Sequence, residues 1–494
     1  MNEVNKNSLL KPWLFGLAGA ILTLFIGWEF NSPLAPWLAF PLLIVSFRGT
    51  GKWYATLPVV LVLSIVRFFV IHGGWDGMAA VLELTFALAT IVPLVAALYL
   101  DRAFAGRLSP LLGTLLFPSV YIALDWVLIY TNLGMTFSLS YTQATFLALS
   151  QSAALFGSWF TGFLVAWTAP VLALAYAKRR ELAATWKPLV FYASILALVL
   201  GYGSFRLSVN RPASPTVRVA SISVAHAEDY WNITDKGTPR EEAAARTSSM
   251  AAEQDQLFAR SKAAVDYGAR IIFWSEGNCP LYEDDYPAYL EKAGAFARQH
   301  QVWFMPAMVV LHYGQTWNDN LAVLFKPDGT RAWRYEKTIS WYPSQSDGKV
   351  PLVDTPYGRL ASVICFDMDY PNLIRQARNA DIMLVPAFDT LKIDDYHTRV
   401  AFLRGIENGF SVVRQASKGT SIAADWRGST IAYQRYATTE ERTMISDVPT
   451  KGVWTLYGAT GEIFLWLVWA GLAALIVLVV LASRRARSEV QGPR

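Results

Sequence analysis

The chain reads as a multi-pass α-helical membrane protein that carries one extramembrane α/β domain. Three observations predict this. Apolar residues make up 53% of the 494, and the mean hydropathy of +0.29 lies above the range of soluble proteins. The apolar excess is confined to residues 12–205 and 464–482, whereas 206–463 has ordinary charge density and most of the acidic residues. Within that middle stretch, short apolar strands alternate with helical segments. The expected divisions are a short N-terminus (1–11), a seven-helix membrane region (12–205), the α/β domain (206–463), a last membrane helix (464–482) and a tail (483–494).

In order, spans are expected at 12–30, 34–47, 53–72, 78–100, 108–130, 151–177, 187–205 and 464–482, most of them near the ~20 residues that cross a bilayer, the second being short. The first is an uncleaved helix, because Pro12 to Trp28 runs on into further spans without a small-residue cleavage site. Lysine and arginine collect before the first span, at Arg48 and Lys52, at Arg102 and Arg107, at Lys178 to Arg180 with Lys187, and at Arg484, Arg485 and Arg487. These positions fall on one side if both termini are cytoplasmic, which turns residues 206–463 outward, to the periplasm of a bacterium with two membranes. The net charge of +5 is therefore explained by topology and not by nucleic acid. Glu29, Arg67, Glu83 and Asp125 lie within or beside spans; a transport pathway is one reading and helix-end or helix-contact roles are the other. No pair of Gly/Pro-broken helices in matching halves supports transport.

In the α/β domain the expected elements are a strand at Val217–Val224, a polar helix at Glu241–Tyr267, a strand at Arg270–Ser275, a helix at Tyr286–His300 and a strand at Val302–Val310. A hairpin of Leu321–Lys326 and Arg331–Glu336 follows, turned by Pro327-Asp328-Gly329. Leu360 to Cys365 reads as a buried strand ending in a cysteine, with a helix start after Pro371. The strand Ile382–Pro386, the helix Asp394–Asn408, the strand Ser411–Gln415 and a final hairpin before 448 complete two layers of sheet and helix.

The chemistry starts from Cys365. A thiol at a strand-to-helix corner meets backbone N–H groups that favour a thiolate and can hold an oxyanion. Cys279 is the only other cysteine, so one disulfide is the upper limit, and no metal or haem spacing is present. Of five histidines only His397 lies on a helix near the right region, and no G-x-S-x-G elbow is present. Glu276 and Lys337 fit better as partners, because each sits just past a strand, as Cys365 does.

This Glu276, Lys337, Cys365 order, with Arg404-Gly-Ile-Glu407-Asn408-Gly409 and Arg414 after it, resembles the nitrilase (carbon–nitrogen hydrolase) superfamily. The placing of such a domain after seven spans and before one looks like the apolipoprotein N-acyltransferase family, which completes bacterial lipoprotein maturation. The resemblance covers nearly the whole chain and includes weaker echoes at Asp125-Trp126, Tyr141-Thr-Gln143 and Gln151 to Phe163. It implies an αββα sandwich and a ping-pong acyl transfer in the bacterial inner membrane, with no cofactor or metal. Glu276 is implied as general base, Cys365 as the nucleophile that forms a thioester, and Lys337 as the charge beside thiolate and oxyanion. A membrane phospholipid is implied as acyl donor and the α-amino group of a diacylglyceryl-cysteine lipoprotein as acceptor, the enzyme acting as a monomer.

The chain also departs from the family. Gln345 stands near the position of a second glutamate, Asp367 replaces the glutamate after the nucleophile, and Ala387 to Lys392 lacks an Asn-Asp-x-Trp pattern. Gln345, Asp367 and Glu407 are expected to support the site, Glu407 by bonding Lys337 or a loop. Trp341, Tyr342 and Phe388 are expected to bury acyl chain. Residues 229–242 and 342–350 are candidate lids. The departures keep two alternatives open, a membrane-tethered amidase that transfers to water and an acyltransferase with a different acceptor; a silent scaffold is a third.

Overall fold

The computed structural model describes residues 6–74, 78–131, 133–180, 186–209, 211–224, 239–340 and 343–490. It comprises two compact units, one of Met1–Val209 with Thr460–Arg494 and one of Asn210–Ala459.

The first unit is helical. Among the described residues six helices are long and apolar enough to cross a membrane, at Trp53–Ile71, Ala80–Arg107, Pro110–Tyr130, Ser158–Ala177, Trp186–Val209 and Ile463–Arg485. The first two expected spans are shorter apolar helices, Leu10–Phe25 and Ala35–Gly49. The expected span over 151–177 is interrupted. Gly157 takes φ +78° and separates the short helix Ala153–Phe156 from Ser158–Ala177, a conformation that glycine adopts without penalty. In the helix Leu57–Ile71, Leu61, Ile65 and Phe69 form an i, i+4, i+8 stripe that is about 60% exposed. An apolar stripe left open on a helix marks a face that meets lipid.

Ionisable groups in this unit are held by neighbouring helices. Asp101 pairs with Arg48 at 2.7 Å. Arg67 donates to the carbonyl of Ile26 at 3.1 Å and to Thr90 at 3.0 Å, and Glu83 accepts the backbone N–H of Gly73 at 2.8 Å. These are helix-contact roles, which is how polar groups in an apolar setting escape an unsatisfied state.

The second unit contains two sheets. The larger has strands β1 (Thr216–Ile222), β2 (Ile271–Trp274), β3 (Pro280–Tyr282), β4 (Trp303–Met305), β5 (Ala307–Leu311), β6 (Asn318–Phe325) and β7 (Arg331–Glu336), and it is completed by the late strand β14 (Thr443–Pro449). Its order is β14-β1-β2-β4-β6-β5-β3, with β7 on β6. The smaller contains β8 (Leu352–Thr355), β9 (Gly358–Ser362), β10 (Ile382–Phe388), β11 (Ser411–Ser417), β12 (Thr420–Ala424) and β13 (Thr430–Arg435), in the order β13-β12-β11-β10-β9-β8. Strands β1, β2 and β4 run parallel, as do β9, β10 and β11, so their C-terminal ends open on one edge of each sheet. Helices Arg240–Asp266 and Tyr286–His300 pack on the first sheet and Asp394–Asn408 on the second, giving the αββα layering. A buried bond from Ser221 Oγ to Gln415 Oε1, 2.6 Å long, joins β1 to β11 between the layers.

The single strand expected at Val302–Val310 is two. Pro306 has no N–H to give a ladder, and β4 pairs with β2 while β5 pairs with β3 and β6. The final hairpin also differs: β12 and β13 form one, but β14 returns to the first sheet beside β1. Helix Asp394–Asn408 stops at Gly409, whose φ is +82° and where an added Cβ would lie 1.8 Å from the carbonyl oxygen of Val453. Gly409→Ala is therefore expected to cost roughly 2–4 kcal/mol, read as a drop in the thermal unfolding midpoint of the purified protein; a midpoint unchanged within a degree would contradict the close approach.

Candidate active site

Three loops at strand ends meet at one carboxylate. Glu276 follows β2, whose last residue Trp274 is fixed by a 2.9 Å bond from its indole to Ser261. The loop reverses at Gly277, with φ +72°, and is knotted by Ser275, Asn278 and Ser417, where Ser275 Oγ and Ser417 Oγ are 2.8 Å apart and Ser417 donates to Asn278 at 3.0 Å. Lys337 follows β7, and its own N–H donates to the carbonyl of Asn320 on β6. The ladder that pairs Leu321 with Glu336 puts Asn320 beside Lys337. Both side chains donate to Glu276 Oε1, Lys337 Nζ at 2.6 Å and Asn320 Nδ2 at 2.7 Å. Glu276 Oε2 accepts the backbone N–H of Phe388, at the end of β10, at 3.0 Å.

Cys365 opens a tight 3-10 turn, Cys365–Asp369, ahead of the short helix Pro371–Ile374. Its φ is +50°, a region that costs a non-glycine residue on the order of 1 kcal/mol and that clusters at functional sites. The Sγ–H donates to the carbonyl of the same Phe388, at 3.3 Å. The backbone of one residue therefore holds both groups, its N–H on Glu276 and its C=O on Cys365. Asp367 braces the turn: Oδ2 accepts the Tyr335 hydroxyl at 2.7 Å and the N–H of Ile364 at 3.1 Å, and Oδ1 accepts the N–H of Ile339 at 2.7 Å. The cysteine turn is thereby tied to both sides of Lys337.

Behind the Phe388 peptide lies a buried charge network. Arg414 on β11 grips Asp389 with both guanidinium nitrogens, at 2.6 and 2.9 Å. His397 bridges Asp389 through Nδ1 at 2.8 Å and Asp369 through Nε2 at 2.7 Å. Cys365, Asp389 and His397 place ligating atoms within 4.8 Å of one another. Both imidazole nitrogens already engage carboxylates, so we assign the trio no metal.

The local electrostatics favour fixed charges around a neutral thiol. Burial pushes the Cys365 thiol well up, and the Glu276 carboxylate adds to that while Lys337 opposes it. For Lys337 burial works against the charge, yet Glu276 and Cys365 beside it hold the ammonium above its usual range. Burial raises the Asp367 carboxyl to about 6 in spite of its Tyr335, Lys337 and backbone partners. Burial also opposes the Asp389 charge, but Arg414 and His397 hold its carboxyl below the usual range. His397 is held up at about 9, the pull of Asp369 and Asp389 outweighing its burial.

The remaining expected residues fall elsewhere. The Gln345 side chain is exposed and its N–H donates to Glu336 at 2.6 Å. Glu407 pairs with Arg404 on its own helix, so the carboxylate partner of Lys337 is Glu276 and not Glu407. Phe388 is half-buried, with Lys418 Nζ 5.2 Å from its ring centroid. Trp341 and Tyr342 lie outside the described residues, as does most of 229–242. Cys279 is buried in the core of the first sheet, and both cysteines are free thiols. Sequence reasoning missed Asn320, Asp369 and Asp389. Asn320 was findable only from the hairpin register.

The family model for carbon–nitrogen hydrolases matches residues 218–454. Over those residues, just under half of the chain, the protein is similar to the carbon–nitrogen hydrolases. The whole chain is similar to the apolipoprotein N-acyltransferase of Geobacter metallireducens, 24% identical over 95% of this chain and 94% of that protein. The apolipoprotein N-acyltransferase of Shewanella oneidensis is 22% identical over 64% of this chain and 65% of its own length. Among solved structures, an amidase from Nesterenkonia sp. AN1 matches 52% of this chain and 98% of its own at 15% identity, with a TM-score of 0.40.

The raised His397 value has a consequence for stability. A group held above its free value of about 6.5 contributes fully below that pH and loses its contribution as pH rises through about 9. The unfolding midpoint in detergent is expected to fall between pH 6.5 and 9.5, by the equivalent of up to roughly 3 kcal/mol, and His397→Gln should flatten that slope. A midpoint that rises over this window would contradict the doubly paired imidazolium.

Proposed function

We propose that the protein is a lipoprotein N-acyltransferase of the bacterial inner membrane, with Glu276, Lys337 and Cys365 as its reacting groups. The observation that carries the reading is the Glu276 carboxylate, which binds Lys337 and, through the backbone of Phe388, the turn holding Cys365. Similarity along the whole chain to proteins named apolipoprotein N-acyltransferase supports the substrate class.

In the first half-reaction Glu276 takes the thiol proton, and the sulfur attacks the ester carbonyl of a phospholipid. The C–S bond forms, the ester C–O bond breaks, and the lysophospholipid leaves as an alcohol with the proton from Glu276. Lys337 and the backbone N–H of Phe366 stabilise the oxyanion between these steps. In the second, the α-amino group of a diacylglyceryl-cysteine attacks the thioester, its proton passes to Glu276, the amide forms, and the thiol is regenerated. Glu276 Oε2 carries one donor, and a carboxylate oxygen has room for a second hydrogen at the start of the cycle. Asp367 positions the turn, and Phe388, with Trp341 and Tyr342, borders the acyl chain. The lysine and arginine distribution supports cytoplasmic termini and a periplasmic placement of residues 206–463.

Mass spectrometry of the purified protein mixed with phospholipid is expected to show an acyl adduct on Cys365 that disappears on adding a diacylated lipopeptide, with the triacylated peptide as product. Cys365→Ala is expected to lower turnover by at least about 10³-fold. Release of free fatty acid with no acylated amine would overturn the acceptor, and triacylated product from Cys365→Ala would overturn the nucleophile.

A further inference from the structure

Phe388, whose backbone N–H and C=O link Glu276 to Cys365, is the last residue of β10. The parallel ladder of β10 with β11 ends at Phe388 opposite Ser417, and the next residue, Asp389, donates its N–H to the Ser417 carbonyl at 3.0 Å. Beyond it the Thr390 carbonyl accepts the N–H groups of Ile393 and Asp394 as the chain turns into the helix Asp394–Asn408, and the Asp389 side chain is held by Arg414 and His397. We propose that His397, acting with Asp369, Asp389 and Arg414, is a positioning residue of this site: it fixes the Phe388 peptide, and through it Glu276 and Cys365, and it lays positive charge beside the sulfur where the thiolate forms.

Three observations carry this. Both imidazole nitrogens are occupied by carboxylates, at 2.7 and 2.8 Å, so His397 cannot serve as the base for Cys365. A His397 nitrogen nevertheless lies within 4.8 Å of the sulfur, as does an oxygen of Asp389, whose carboxylate pushes the thiol up while Arg414 pulls it down, and at that range the imidazolium offsets the carboxylate. It also joins the turn that bears Cys365, through Asp369, to the strand end that bears Phe388, through Asp389, so the two halves of the clamp share one bridge. The groups facing it are Asp369 from that turn, Asp389 past β10, Arg414 from β11 at 3.1 Å from Nδ1, the Cys365 sulfur and the Phe366 ring. On its own helix Thr398 binds Arg414 at 2.9 Å, while Asp394 is taken by Thr420 and Arg435. Formally the network pairs two carboxylates with two cations, which is why it can be buried whole.

The proposal rests on the reading of Cys365 as nucleophile, and its test separates the two. In a Cys279→Ala background, so that alkylation reports Cys365 alone, the rate with iodoacetamide is followed from pH 6 to 10.5 alongside the acyl adduct formed from phospholipid. The parent profile is expected to break near pH 9, where His397 loses its proton. His397→Gln should abolish the break and slow alkylation at pH 8 by about tenfold, with acyl-adduct formation falling by a similar factor in rate and less than about twofold in KM. Asp369→Asn keeps an acceptor for Nε2–H but removes its charge, so the break should move down by about one pH unit; this variant decides the matter if His397→Gln does not fold. A parent profile without a break, a His397→Gln rate within twofold of the parent, or an unmoved break in Asp369→Asn each overturn the proposal. Alkylation needs no lipid, so shifts as expected in a protein that takes no acyl group from phospholipid would leave the positioning role standing and remove the acyltransfer reading.

Discussion

The second unit depends on one carboxylate that is buried with its charge. Glu276 is 1% exposed, and an ionised carboxylate in such a place must be fully paired or it costs several kcal/mol. Its three donors come from β6, from the end of β7 and from the end of β10, so satisfying that one charge fixes the relative placement of three strand ends in two different sheets. The Phe388 bond is the one that crosses the sandwich. A parallel-stranded layer always collects its strand ends on one edge; the buried charge determines which of those ends touch.

The charges around the site come in balanced sets. Lys337 answers Glu276, and His397 with Arg414 answers Asp369 with Asp389. Apolar side chains of the same volume would give equal or greater stability at several of these positions, so the sets are better understood as fixing geometry than as holding the fold together. The positive φ of Cys365 fits the same view. Strain there persists because Asp367, tied to Tyr335, Ile339 and Ile364, leaves the turn no other conformation.

Much of this was legible in the residues, and the limits have physical causes. Helix Asp394–Asn408 and the Pro327-Asp328-Gly329 hairpin were readable because their signals are local: an acidic first turn, a glycine past the end, and a proline-glycine turn. Glu276, Lys337 and Cys365 could be singled out because each follows a strand and the order is that of a known superfamily. Asn320 was invisible because its role depends on cross-strand register, which no local pattern states. His397 was noticed only as a histidine near the right region; that both its nitrogens are occupied follows from Asp369 and Asp389, which lie 28 and 8 residues away. Glu407 was expected to bond Lys337 or a loop; Lys337 pairs with Glu276 instead, and Glu407 pairs with Arg404 one helical turn away on its own helix, a contact that helical spacing alone offers.

A thiol pushed upward in pKa is compatible with the nucleophile proposed for Cys365. A sulfur surrounded by a carboxylate and low-dielectric packing stays protonated at rest, which protects it from oxidation, and its proton is spent on the Phe388 carbonyl. In the proposed acyl transfer the proton moves to Glu276, and the charge left on sulfur lies beside Lys337 and the network of Asp389, Arg414 and His397. In that proposal the negative charge passes from carboxylate to sulfur to oxyanion among paired, buried charges, and a preorganised field of that kind is where most of the rate enhancement of an acyl transfer arises.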